Sequence, residues 1–157
     1  MKSATVHEIK QELQQLPAQE LVELCLRLAR FKKENKELLT YLLFEAQDEE
    51  GYIRLVKESI SADFGGINRS SLYFAKKTLR KILRTINKYC RYTGSKQAEV
   101  EWLIHYCQEL KASGIEFEKS PALLNLYQAQ LKKISKVIDS LHEDLQFEYR
   151  RELKKLG

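Results

Sequence analysis

Residues 70–93 can be laid on only one regular structure. With Lys76 at zero and a step of about 100° per residue, Lys76, Lys77, Arg80, Lys81, Arg84, Lys88 and Arg91 fall within an arc of roughly 140°. Leu72, Ala75, Leu79, Ile82, Leu83, Ile86, Tyr89 and Cys90 fall on the opposite arc, the spacing of a stripe turned towards a core. A period of two would scatter both sets across two faces. The stretch is therefore expected to form one amphipathic helix about 33 Å long, at ~1.5 Å per residue. Ser70 or Ser71 is expected to cap its start, and Gly94 to supply the left-handed residue past its end.

Nine cations lie between Ile67 and Gln97, with no Asp or Glu among them. The formal charge of the whole chain is +5, so the rest of it is slightly acidic. Like charges four residues apart repel by a few tenths of a kcal/mol per pair, as Lys76 does Arg80, Lys77 does Lys81, Arg80 does Arg84 and Arg84 does Lys88. Two readings follow. Acids just upstream, Glu45, Asp48, Glu49 and Glu50, could cover the face from within, or the face could meet an external polyanion, either nucleic acid or an acidic protein surface. Tyr73 falls in the middle of the basic arc, with Phe74 and Tyr92 at its edge, and cations interleaved with aromatics can hold a backbone and stack bases. With Arg69 ahead of the helix, the candidate nucleic-acid or anion-binding set is Arg69, Tyr73, Lys76, Lys77, Arg80, Lys81, Arg84, Lys88 and Arg91. The break at Asp63-Phe64-Gly65-Gly66 matches neither a phosphate-binding loop nor a dinucleotide fingerprint.

Two prolines, six glycines and 43% hydrophobic residues in 157 favour a helical chain over a strand-rich or disordered one. That length is expected to form a single domain, residues 1–157, without metals or disulfides. The longest uncharged stretch, Ser120 to Leu131, is short of the ~20 apolar residues that span a bilayer. No membrane partner is expected. The first ten residues lack the apolar core of a secretory signal, which points to a cytoplasmic protein. Cys25, Cys90 and Cys107 fall among apolar helical positions and are expected to be buried, reduced thiols.

Ahead of the basic helix, Thr5-Val6-His7-Glu8 has the form of a capping box. Pro17 is expected to open a second helix with Leu21, Leu24, Cys25, Leu28 and Phe31 on its buried face. Asn35 is expected to cap a third helix, and residues 48–61 a fourth, fused or not to the third. Leu16-Pro17-Ala18-Gln19-Glu20-Leu21, then Glu23-Leu24, Leu28, and Lys36-Glu37-Leu38 to Leu42-Leu43, resembles the start of an uncharacterised family of small all-helical bacterial proteins. The resemblance covers about 40 residues and implies a bacterial helical domain, with no functional residue carried over.

Beyond it, Ser95 is expected to cap a sixth helix, apolar over most of its circumference from Ala98 to Leu110 and therefore central. Its polar strip, Glu101, His105 and Glu109, spans roughly 12 Å, too far for one ion to meet all three, and is expected to be solvated. Ser120-Pro121 opens the last segment. Leu124, Tyr127, Leu131, Ile134, Ile138, Leu141 and Leu145 follow a 3,4 spacing over three heptads. That seam either closes within the domain or makes a homodimer, and the segment is one helix or two divided near Asp139.

No nucleophile elbow, Cys-x-x-Cys pair, zinc-binding helix motif or phosphate loop occurs. No catalytic residue, metal site or cofactor is assigned. The reading is an all-α chain of six to eight helices, an antiparallel bundle or helical-hairpin array. It is expected to act as a non-catalytic binding module through its basic helix. The alternatives are a scaffold that self-associates through the C-terminal seam, or an enzyme whose site the sequence does not display.

Overall fold

The computed structural model describes all residues 1–157. It is all-helical, with no strands, as the apolar spacing predicts. Eight α-helices follow one another: α1 (Val6–Gln14), α2 (Ala18–Phe31), α3 (Lys33–Thr40), α4 (Glu49–Gly65), α5 (Leu72–Thr93), α6 (Lys96–Ala112), α7 (Pro121–Ile138) and α8 (Glu143–Leu156). A π turn at Tyr41–Glu45 lies between α3 and α4, and a 3₁₀ turn at Phe117–Lys119 precedes α7. The chain divides into two compact units, Met1–Phe44 and Glu45–Gly157.

In the N-terminal unit the capping box forms: the Glu8 amide donates to Thr5 Oγ1 at 3.2 Å, and the Thr5 amide donates to Glu8 Oε2 at 2.7 Å. Pro17 sits one position ahead of α2. Asn35 does not cap α3; it lies inside the helix and donates from Nδ2 to the Leu28 carbonyl at 2.8 Å, tying α3 to the end of α2. None of the residues of α1, α2 and α3 is buried, and Cys25 is exposed, contrary to expectation. Two short antiparallel helices shield each other along one line only, so a stripe as wide as that of α2 stays partly bare.

The C-terminal unit is organised around α6. Trp102, Tyr106, Leu103, Val100, Cys107 and Leu110 are fully buried there, in one core with residues of α4, α5, α7 and α8. The polar handles that α6 puts into that core are satisfied: Trp102 Nε1 donates to the Ile53 carbonyl and the Tyr106 hydroxyl to the Leu79 carbonyl, each at 3.1 Å. An unmade bond at either would leave a buried dipole at a cost of about 1–3 kcal/mol.

The ends of these helices follow the expected chemistry in part. Asp48 separates α4 from what precedes it, accepting from the Gly51 amide at 3.0 Å. Ser95 caps α6, and Ser120, followed by Pro121, caps α7. Gly94 takes φ +64°, and its amide donates to the Cys90 carbonyl at 2.9 Å. Neither serine caps α5: Ser71 makes no side-chain bond to it, while the Ser70 amide and hydroxyl both donate to Asn68 Oδ1 in a local turn. An Asx turn competes for the same hydroxyl and wins here because its partner is only two residues away.

The C-terminal segment is two helices. The Ser140 hydroxyl donates to the Val137 carbonyl rather than opening α8, and His142 Nδ1 accepts from the Asp144 amide in its place. The seam proposed for self-association closes inside the unit. Tyr127, Ile134 and Ile138 are buried, and Leu124, Leu131, Leu141 and Leu145 are half-buried against the same core. That surface is largely occupied within the unit.

Candidate polyanion-binding face

The apolar stripe of α5 positions its cations. Ala75, Leu79, Ile82, Leu83 and Ile86 are buried against the C-terminal unit's core, so the opposite arc of the 22-residue helix points outward. Arg69, Lys77, Arg80, Lys81, Arg84 and Arg91 are exposed, while Lys76 and Lys88 are half-covered. Lys88 lies over the Tyr89 ring, 5.5 Å from its centroid.

Two of the acids that could have covered this face from within the same unit are engaged elsewhere. Asp48 caps α4 and the Glu49 carboxylate accepts from the Ser95 hydroxyl. Ion pairs in this unit join Lys57 to Glu101, Lys96 and Lys133 to Glu99, and Arg150 to Asp139. None of them reaches Arg69, Lys76, Lys77, Arg80, Lys81, Arg84 or Arg91. The buried stripe of α5 offsets the like-charge repulsion along it.

Leu72, Tyr73 and Phe74 stand exposed at the N-terminal end of the helix, the two rings edge to face with centroids 5.4 Å apart. Tyr73 is 70% exposed and Phe74 51%. Neither is needed for the core, so this end of the face presents two aromatic surfaces beside Arg69, Lys76 and Lys77. Tyr92 is half-buried at the other end, edge to face with Tyr89.

The polar strip of α6 is only partly solvated, because side chains from α4 and α8 bond to it. Glu101 is ion-paired with Lys57 of α4 and accepts from the Tyr149 hydroxyl of α8 at 2.6 Å. The Tyr149 hydroxyl accepts in turn from Gln97 Nε2 at 3.1 Å. Its phenol is held well above the usual range by burial, and by donating to the Glu101 carboxylate. Beside these groups lies a pocket of about 320 Å³ lined by Lys57, Glu101, Gln108, Glu148, Tyr149 and Glu152.

One turn on, Ser61 Oγ lies 2.8 Å from His105 Nε2 and 3.3 Å from Glu109 Oε1. Burial lowers the pKa of His105, opposed by the nearby Glu109, and the Lys57 backbone carbonyl accepts from the ring. A serine beside a neutral imidazole invites comparison with nucleophilic catalysis. The geometry does not support it: Glu109 stands 3.7 Å from the same Nε2 that faces Ser61, where an orienting acid would hold the other nitrogen. Ser61 also lies inside α4, whose interior amides serve the helix and leave none to stabilise an oxyanion. No group of three or more metal-ligating side chains is present. These residues act as polar bridges joining α4, α6 and α8. Helical periodicity identified the strip but held no sign of Lys57, Ser61 and Tyr149, which come from other helices.

Comparison of the chain with family models, curated proteins and solved structures finds no match. The leucine pattern of residues 16–43 therefore remains a resemblance only. What fold and site define is an all-helical protein that carries one largely exposed cationic helix face.

Proposed function

We propose that this protein is a non-catalytic binding module that engages an acidic partner through α5, with nucleic acid the partner that best fits the face. The observation that supports the reading is that no ion pair joins an acid of the same unit to Arg69, Lys76, Lys77, Arg80, Lys81, Arg84 or Arg91. Each turn of α5 offers a cation to the same side, so the face follows a run of phosphates without deforming. Tyr73 and Phe74 add stacking surfaces at one end, which favours single strands with unpaired bases over duplex. A cytoplasmic setting accompanies this reading. No helix is long and apolar enough to cross a membrane.

Binding of labelled single-stranded and duplex RNA and DNA across a salt series tests it. With about four phosphates engaged, log affinity falls with log salt at a slope of roughly −3 to −3.6. Lys77→Glu/Arg80→Glu/Arg84→Glu is expected to abolish binding while leaving the helical content intact, because all three side chains are exposed. Tyr73→Ala/Phe74→Ala is expected to weaken single-strand binding about tenfold or more, since stacking contributes ~1–3 kcal/mol per base, and to leave duplex binding nearly unchanged. No binding to any nucleic acid at about 50 mM salt would refute the nucleic-acid reading and leave an acidic protein surface as the partner.

A further inference from the structure

The N-terminal unit poses a different problem from the basic face. Its α2–α3 hairpin is lined on either side by apolar grooves. One, of about 190 Å³, is lined by Cys25, Leu28, Ala29, Leu38, Leu39 and Leu42. The other, of about 680 Å³, runs past Leu26, Leu39 and Leu43 and is flanked by Arg30, Lys33 and Lys36. Leu28 is 60% exposed, Phe31 76%, and Leu24, Leu26, Leu42 and Leu43 are also bare. A unit of 44 residues that buries none of the side chains of its three helices does not hold a fixed shape in water by itself.

We infer that this hairpin is a self-association surface, and that its occupant is the α2–α3 hairpin of a second copy of the chain, docked antiparallel to form a four-helix layer. The charge of this unit favours a copy of the chain over an unrelated partner. The first 44 residues carry seven Lys or Arg and six acids, a net +1, so two copies meet with little repulsion. The charge along α2 is also ordered: Glu20 and Glu23 occupy its first half, and Arg27 and Arg30 its second, followed by Lys32 and Lys33. Antiparallel docking about a two-fold axis sets the acidic half of each helix beside the basic half of the other, whereas parallel docking sets like charges together. This surface is separate from the C-terminal seam and from α5, so its test does not depend on the nucleic-acid reading.

The full-length chain is examined by sedimentation equilibrium over a concentration series without nucleic acid. The mass is expected to rise from one chain to two. Leu28→Lys/Leu42→Lys is expected to stay at one chain throughout, with Trp102 emission unchanged, since that tryptophan is buried in the core of the other unit. Glu20→Lys/Glu23→Lys is expected to weaken the dimer about tenfold or more. Adding Arg27→Glu/Arg30→Glu to the same chain restores the alternation and is expected to restore the dimer. A wild-type mass of one chain at the highest soluble concentration overturns the proposal, as does a dimer that survives Leu28→Lys/Leu42→Lys. Failure of the fourfold charge exchange to restore the dimer overturns the antiparallel arrangement.

Discussion

At the scale of single residues, the three cysteines and the half-buried histidine lead to measurable differences. Burial pushes the Cys107 thiol up to about 12, and burial together with the Glu99 carboxylate does the same for Cys90. Thiolate is the reacting form, and Cys25 alone is exposed. A maleimide at neutral pH is therefore expected to modify Cys25 quickly and the other two only on unfolding, read by mass spectrometry. Equal rates at all three would contradict the burial of Cys107. His105 gives a pH dependence of definite sign. Its folded-state pKa is lowered, so the unfolded chain holds more protons just below pH ~6.5. Stability of the C-terminal unit is accordingly full above that value and falls as the pH drops through it. His105→Gln is expected to flatten the fall between about pH 6.5 and 5, measured by denaturant titration at each pH. Little of this was legible in the sequence. Period placed His105 between Glu101 and Glu109, but that Ser61 and Lys57 would face it depends on how α4 crosses α6, which no local spacing encodes.

At the scale of elements, helix ends divide into those set by one residue and those set by competition. Gly94 is of the first kind: at φ +64° with no atom within 4 Å of an added Cβ, Gly94→Ala meets backbone strain only. Thermal or chemical denaturation is expected to show a loss of about 1 kcal/mol. Gly51→Ala acts by another route. Its Cβ would stand 2.1 Å from Asp48 Oδ2, so the carboxylate must swing away and the cap of α4 is lost, again for about 1 kcal/mol. Thr5, Ser95, Ser120 and Gly94 could be placed from the sequence because each is the sole suitable residue at its boundary. Ser70, Ser71 and Ser140 could not, since each has a nearer acceptor or an alternative donor. Asn35 was misplaced for a similar reason: its side chain reaches back to the Leu28 carbonyl across a sharp corner between two helices. The stripe of α5 and the apolar surround of α6 were both legible, because a pattern repeated over four or five turns outweighs any single competing bond. The C-terminal heptads were legible as a seam, and packing against the unit's own core is one of the two closures their spacing allowed.

At the scale of the whole molecule, the two units differ in what holds them. The C-terminal unit has a continuous core around Trp102; the N-terminal unit has bare grooves. Denaturant titration at low protein concentration is therefore expected to show helicity falling before Trp102 emission shifts, since two-state behaviour requires one cooperative core. Coincident curves would contradict this. Composition favoured helices correctly, but the total of apolar residues concealed how unevenly burial is distributed between the units. The basic face carries a last consequence, in evolutionary terms. Along α5 every exchange of a Lys or Arg for Glu relieves repulsion with its neighbours at i±4 and opens an attractive pair, so each such step leaves the fold unharmed or slightly firmer. Mutation acting on an idle surface drifts towards mixed charge, because nothing in folding opposes it. Seven cations and no acid on one side of α5 is therefore an arrangement that helix stability alone does not favour. Stabilising variants selected at random from this protein are thus expected to accumulate acids on α5, and to lose affinity for a polyanion as they do.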